Sequence, residues 1–196
     1  LSAHAADAPD GQARRNPSVR TFSVRQGHVA HPRDLVAGSD GNLWFTADDD
    51  QLGRITPQGE MKTFETHGEV RYPSSLINGP DGALWFATLD NRIGHITTTG
   101  AITTFSAAGT SASPPLALAV GPDGAVWYVT IENVFGRVTP AGEVTFVGSK
   151  VLEDFGFPTS ITAGPDGNLW FTTFAGGVGR ITPPGDRWGA LALGFG

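Results

Sequence analysis

Four tryptophans mark one repeat that runs through the chain. Trp44, Trp85, Trp127 and Trp170 are spaced by 41, 42 and 43 residues. A proline stands twelve residues before each: Pro32, Pro73, Pro115 and Pro158. Glycines stand six before (Gly38, Gly79, Gly121, Gly164), three before (Gly41, Gly82, Gly124, Gly167), nine after (Gly53, Gly94, Gly136, Gly179) and fifteen after (Gly59, Gly100, Gly142, Gly185). All five offsets hold in all four copies, so the variation in spacing falls between the last glycine and the next proline. A period in this range belongs to solenoids, propellers and arrays, in which one supersecondary unit is stacked on copies of itself.

Each unit reads as four short strands. The first is Leu35-Val36-Ala37 and its equivalents, such as Leu118-Ala119-Val120. A turn follows, Gly38-Ser39-Asp40-Gly41 in the first copy and Gly-Pro-Asp-Gly in the other three. Asp-Gly between apolar runs is a hairpin signal, because glycine takes positive φ without steric cost. The second strand, Leu43-Trp44-Phe45-Thr46, has the aromatic and β-branched residues that suit a pleated sheet. Gly53-Arg54-Ile55-Thr56 is the third. A second turn, such as Thr139-Pro140-Ala141-Gly142, leads to a fourth, as in Val144-Thr145-Phe146. No stretch has helical period. The expectation is an all-β chain, a β-propeller of four-stranded antiparallel blades. The tryptophans should fill the gaps between blades, with the end copies Trp44 and Trp170 less covered. The repeated Gly-Arg, with His95 once in place of Arg, should pair with a turn aspartate or cover the blade surface.

The ends depart from the pattern. Residues 1–18 read as a polar tail or the remnant of a signal peptide. Ala3-His4-Ala5 has the small-x-small form of a cleavage site and suggests a secreted or periplasmic protein; the alternative is a cytoplasmic one. Val19-Arg20-Thr21-Phe22 resembles Met61-Lys62-Thr63-Phe64, a fourth strand without its blade. Residues 19–186 carry the repeats, and 187–196 form an aberrant tail with no Phe at the fourth-strand position. The fourth copy is therefore expected to have three strands of its own. An N-terminal strand completing it would close a four-bladed ring; otherwise the four repeats are part of a larger ring.

Composition excludes several function classes. The formal net charge is −6 and no basic stripe appears, which argues against nucleic acid. Cysteine is absent, so there are no disulfides or thiolate metal sites. No apolar run reaches the length of a membrane helix. The glycines sit in hairpin turns with no helix behind them, so they form no phosphate-binding loop.

Propellers bind ligands on the face formed by the loops between strands four and one and between strands two and three. Those loops supply the candidate ligand-binding residues: His31, Arg33, Asp48, His67, Tyr72, Asp90, Asn91 and Phe157. His28, Glu153, Asp154 and Phe174 lie in the same loops. The run Asp48-Asp49-Asp50 could offer carboxylates to a hard cation. Partners expected on this face are a small molecule, a peptide or a glycan.

The repeat Pro-x-x-h-x-x-Gly-Pro-Asp-Gly-x-Leu-Trp-Phe-Thr, followed by Gly-Arg-Ile-Thr-x-x-Gly, resembles the streptogramin B lyase (virginiamycin B lyase) family over about residues 19–186. The best-matching stretch is Pro158 to Thr172. The resemblance implies a seven-bladed ring that binds a cyclic depsipeptide antibiotic on one face. It also implies a magnesium-assisted elimination that opens the ligand at its ester and confers antibiotic resistance. The family's catalytic histidines directly follow the repeat proline, in Pro-His-x-Ile-Thr, with a glutamate just before one such pair. Here that position holds Arg33, Ser74, Leu116 and Thr159, and His31 precedes its proline. No catalytic residue carries over. The expectation is a ligand-binding propeller module without turnover. The alternative is part of a lyase whose catalytic residues lie on other blades, with Mg2+ as cofactor.

Overall fold

The computed structural model describes residues 29, 31–107, 113–148, 156–183 and 190–194. They contain sixteen strands and no helix. The first blade is β1 (Pro32–Ala37), β2 (Leu43–Ala47), β3 (Gln51–Ile55) and β4 (Met61–Phe64). The second is β5 (Pro73–Asn78), β6 (Leu84–Thr88), β7 (Arg92–Ile96) and β8 (Ile102–Ser106). The third is β9 (Pro115–Val120), β10 (Val126–Thr130), β11 (Val134–Val138) and β12 (Val144–Gly148). The fourth is β13 (Pro158–Ala163), β14 (Leu169–Thr173), β15 (Gly177–Ile181) and β16 (Ala190–Gly194). Each blade is one antiparallel sheet with its strands in chain order.

The repeated residues have local physical reasons. The glycine nine after each tryptophan lies under an aromatic ring. A Cβ at Gly53, Gly94, Gly136 or Gly179 would stand 2.1, 2.0, 1.9 or 2.0 Å from the ring of Phe45, Phe86, Tyr128 or Phe171. The glycine three before each tryptophan has φ between 72° and 78°, the left-handed region the hairpin needs.

The aspartate four before each tryptophan organises the outer turn. Its Oδ1 accepts the indole N–H at 3.1 Å in Asp40–Trp44 and Asp81–Trp85, and at 3.0 Å in Asp123–Trp127 and Asp166–Trp170. Its Oδ2 faces the nitrogen-bearing side chain of strand three: Arg54 at 3.5 Å, His95 at 2.9 Å, Arg137 at 2.5 Å and Arg180 at 3.9 Å. The expected pairing of Gly-Arg with a turn aspartate is thus met in every copy. Burial pushes the Asp123 carboxyl up, but the bonds from Arg137 and Trp127 outweigh it and hold the group below the usual carboxylate range. Asp81 is likewise lowered: its bonds from Trp85, Ala83 N–H and His95 overcome desolvation.

The core lies between blades. The tryptophan face of one blade meets the opposite face of the next. Trp44, Leu52 and Phe64 pack on Leu76, Leu84, Phe86 and Ile96. Trp85, Ala87 and Ile93 pack on Leu118, Val126, Tyr128 and Val138. Trp127, Val129 and Phe135 pack on Ile161, Leu169, Phe171 and Ile181. Polar bonds cross these gaps too: Leu76 N–H donates to Asp34 Oδ2 at 2.8 Å, and Thr46 Oγ1 donates to the Ser74 carbonyl at 2.9 Å.

Three expectations change. Trp44 is not an exposed end copy: it is 1% exposed, because its face meets the second blade. Of the four repeat tryptophans, Trp170 alone is partly open, its face having no following blade among the described residues. The fourth copy has a fourth strand, since Ala190–Gly194 pairs with β15 from Ile181↔Ala190 to Gly177↔Gly194. Three additional residues in the preceding turn and the lack of a Phe hid it. Finally, β1, β5, β9 and β13 pack side by side in order, but β13 has no comparable packing on β1 among the described residues. The blades form an open arc, not a closed four-bladed ring. Residues 1–18 and the strand-like Val19 to Phe22 lie outside the described residues.

Candidate ligand-binding face

The repeat proline sets the geometry of one face. In every blade it is paired with the last residue of the second strand: Pro32↔Ala47, Pro73↔Thr88, Pro115↔Thr130 and Pro158↔Thr173. The register then shifts by a bulge. The residue after the proline falls in that bulge. Bulges re-aim side chains and recur beside active sites. Arg33, Leu116 and Thr159 are exposed here, and Ser74 is half-buried.

The structure brings His31, Arg33 and Asp48 together. Arg33 Nε donates to Asp48 Oδ1, and His31 Nδ1 lies 3.6 Å from Asp48 Oδ2. Asp50, in the same turn, accepts the backbone N–H of Tyr72 from the next blade at 2.7 Å. Tyr72 and His31 have φ of 48° and 46°. Residues before proline favour extended backbone, so both are held in strained conformations at the face. Asp90 accepts from Thr88 Oγ1 at 2.5 Å and lies 3.6 Å from Arg92 Nε. Asn91 has φ of 64°, and its carbonyl accepts from Ala107 N–H at 2.8 Å. His67 is exposed in the loop between β4 and β5, with φ of 49°. Phe157 stacks on Phe174 at 4.9 Å between ring centroids, and the Phe174 N–H donates to its carbonyl. His28, Glu153 and Asp154 lie outside the described residues.

The polar and aromatic loop residues singled out in the sequence leave out part of this face. The residue four after each tryptophan opens the turn between strands two and three. It is Asp48 in the first blade, then Leu89, Ile131 and Phe174. All three apolar side chains are exposed, Phe174 by 74%, as are Tyr72 and Leu116. These residues lie on blades two, three and four at the end of the sheets where blade one carries the Arg33–Asp48 pair. The signal was present in the sequence: three apolar residues at one repeat offset, in a turn.

The donors described form no ready-made cage for the magnesium ion implied by the resemblance. No three acidic or histidine side chains converge among the described residues. Asp48 is tied to Arg33, Asp50 to the Tyr72 N–H, and Asp90 to Thr88 and Arg92. Asp48 and Asp50, at the two ends of the acidic run, therefore point their carboxylates to separate partners.

The comparisons with known proteins agree with this architecture. The virginiamycin B lyase family matches residues 10–188. Virginiamycin B lyase from Staphylococcus aureus is 34% identical, with a TM-score of 0.70, covering 80% of this chain and 54% of its own. A catalytically inactive histidine-to-alanine variant of that enzyme, solved with quinupristin, is 37% identical with a TM-score of 0.71, over 81% and 54% of the two chains. A streptogramin B lyase structure is 31% identical with a TM-score of 0.75, over 89% and 58%. The chain thus spans little more than half the length of these solved relatives. No curated protein sequence matches it. On the family match and these identities, the chain belongs to the virginiamycin B lyase family.

Proposed function

We propose that the proline face binds an apolar, ring-bearing peptide ligand of the streptogramin B type, and that the blades described hold it without turnover. The observation that carries this is the exposure of Tyr72, Leu89, Leu116, Ile131 and Phe174 at one end of the sheets. Exposed apolar surface gathered on one face marks an interaction site. The ligand class follows the names of the relatives, one of which was solved with quinupristin.

The argument against turnover is chemical. Elimination needs a base within hydrogen-bond reach of the proton removed. The bulge positions hold Arg33, Ser74, Leu116 and Thr159. Arg stays protonated, Leu has no lone pair, and Ser and Thr are poor bases without a partner. His31 lies on the other side of its proline and faces Asp48. The second reading is a lyase in which these blades supply binding surface and other blades the base. Family membership and the shorter span relative to the solved lyases favour it.

The test is incubation of the purified chain with a streptogramin B antibiotic, with and without magnesium, followed by mass-resolved chromatography. Intact antibiotic retained by immobilised chain is the expected result. Linear product at an enzymatic rate, lost in His31→Ala, would overturn the non-catalytic reading.

A further inference from the structure

We infer that Tyr72 is the anchor on which the proline face stacks its ligand, and that Asp50 of the preceding blade is the positioning residue that holds it ready. The inference rests on the binding role proposed for that face and names the contact through which it works. Tyr72 stands directly before Pro73, a place that favours extended backbone, yet its φ is 48°. Such a conformation persists where the surroundings over-determine it, and it recurs at ligand clamps. Here both backbone groups of the residue are tied. Asp50 Oδ1 accepts the Tyr72 N–H at 2.7 Å across the gap between blades one and two. The Leu89 N–H, in the turn of Tyr72's own blade, donates to the Tyr72 carbonyl at 3.2 Å. Both blades that form this clamp lie within the described residues.

The clamp is particular to this place. The turn residue six after each tryptophan is Asp50, Asn91, Asn133 or Gly176, and each has positive φ. Asp50 is the one carboxylate among them. Pro114, at the place of Tyr72 on blade three, has no N–H to donate to Asn91. What the clamp fixes is a ring that the core does not use. Tyr72 is 53% exposed, whereas Tyr128, the other tyrosine, is fully buried. Leu89, bonded to the Tyr72 carbonyl, is exposed as well. Tyrosine supplies a large contact area with few rotatable bonds, and a backbone already fixed leaves little to order on binding. The occupant this suits is the ring-bearing peptide proposed above, with one of its rings lying on Tyr72.

Acylation of the purified chain with N-acetylimidazole, with and without quinupristin, tests the contact without a variant. Tyr128 is buried, so phenol labelling mapped by mass spectrometry reports Tyr72. Ligand at about ten times its Kd should slow that labelling about tenfold. In calorimetric titrations with quinupristin, Tyr72→Ala should weaken binding by about tenfold or more, and Tyr72→Phe, which keeps the ring, by no more than about threefold. Asp50→Ala should weaken it by about threefold or more, and Asp50→Asn, whose amide oxygen still accepts the N–H, should not. In a Tyr72→Ala background Asp50→Ala should cost nothing further, which a merely structural role would not produce. A wild type that binds yet labels at the same rate, or a Tyr72→Ala variant of unchanged affinity, would overturn the anchor and leave the binding role of the face standing. A Tyr72→Phe loss as large as that of Tyr72→Ala would overturn ring stacking. Additive losses in the double variant would overturn the positioning role of Asp50. A wild type that binds no quinupristin would overturn the binding role itself, and the anchor with it.

Discussion

A methyl group at Gly94 would stand 2.0 Å from the Phe86 ring, which is itself fully buried between blades. The ring cannot retreat without disturbing Leu76 and Trp44 in the same cluster. Gly94→Ala should therefore cost about 1–3 kcal/mol, the usual range for overpacking, in urea titrations. Asp123 gives a pH prediction. Its folded pKa lies below its ordinary value of 3.8, so the unfolded chain binds a proton first as acid is added. Its contribution is present above pH 3.8 and is lost as the pH falls through the lower folded value. Asp123→Asn should reduce stability at neutral pH, and its denaturation midpoint should converge on that of the wild type in strong acid. A constant difference across the acid range would contradict this.

A blade's place in the arc decides what the same residue is worth. Leu84 and Leu43 occupy one repeat position, yet Leu84 is fully buried against the preceding blade and Leu43 has no preceding blade among the described residues. Leu84→Ala should cost about 2–5 kcal/mol. Leu43→Ala should stay within about 0.5 kcal/mol. Likewise Trp127→Ala should cost about 3–5 kcal/mol and Trp170→Ala clearly less. Equal losses within either pair would refute the open arc. Most of this element-level structure was legible in the sequence, because the glycine, proline and aspartate constraints are local and recur at fixed offsets. β16 was not legible: three more residues separate it from the preceding strand than in the other blades, and no Phe marks it. The direction of blade packing was not legible either, so Trp44 was expected at an exposed end. Which face of an end blade stays open depends on contacts between copies, which a repeat pattern does not encode. The make-up of the proline face was legible in part. Loop position in the sequence singles out Arg33, Asp48, Tyr72, Phe157 and Phe174 on the proline face, whereas the aliphatic Leu89 and Ile131 carry no charge or ring to mark them.

Across the whole molecule, the repeat fixes two unlike faces. One carries the Asp–Trp hairpins and is fastened by ion pairs. The other carries the proline bulges, where side chains are aimed outward and the backbone at His31 and Tyr72 is strained. The central claim is that this second face binds through its apolar band. It is tested most directly by equilibrium titration of the chain with a streptogramin B ligand, alongside the double variant Leu89→Ser, Ile131→Ser. Both side chains are exposed, so the variant should keep the wild-type fold and melting temperature. The account predicts saturable binding by the wild type and at least a tenfold loss in the variant, about 1.4 kcal/mol or more. Unchanged affinity in a folded variant, or no binding by the wild type, would contradict it.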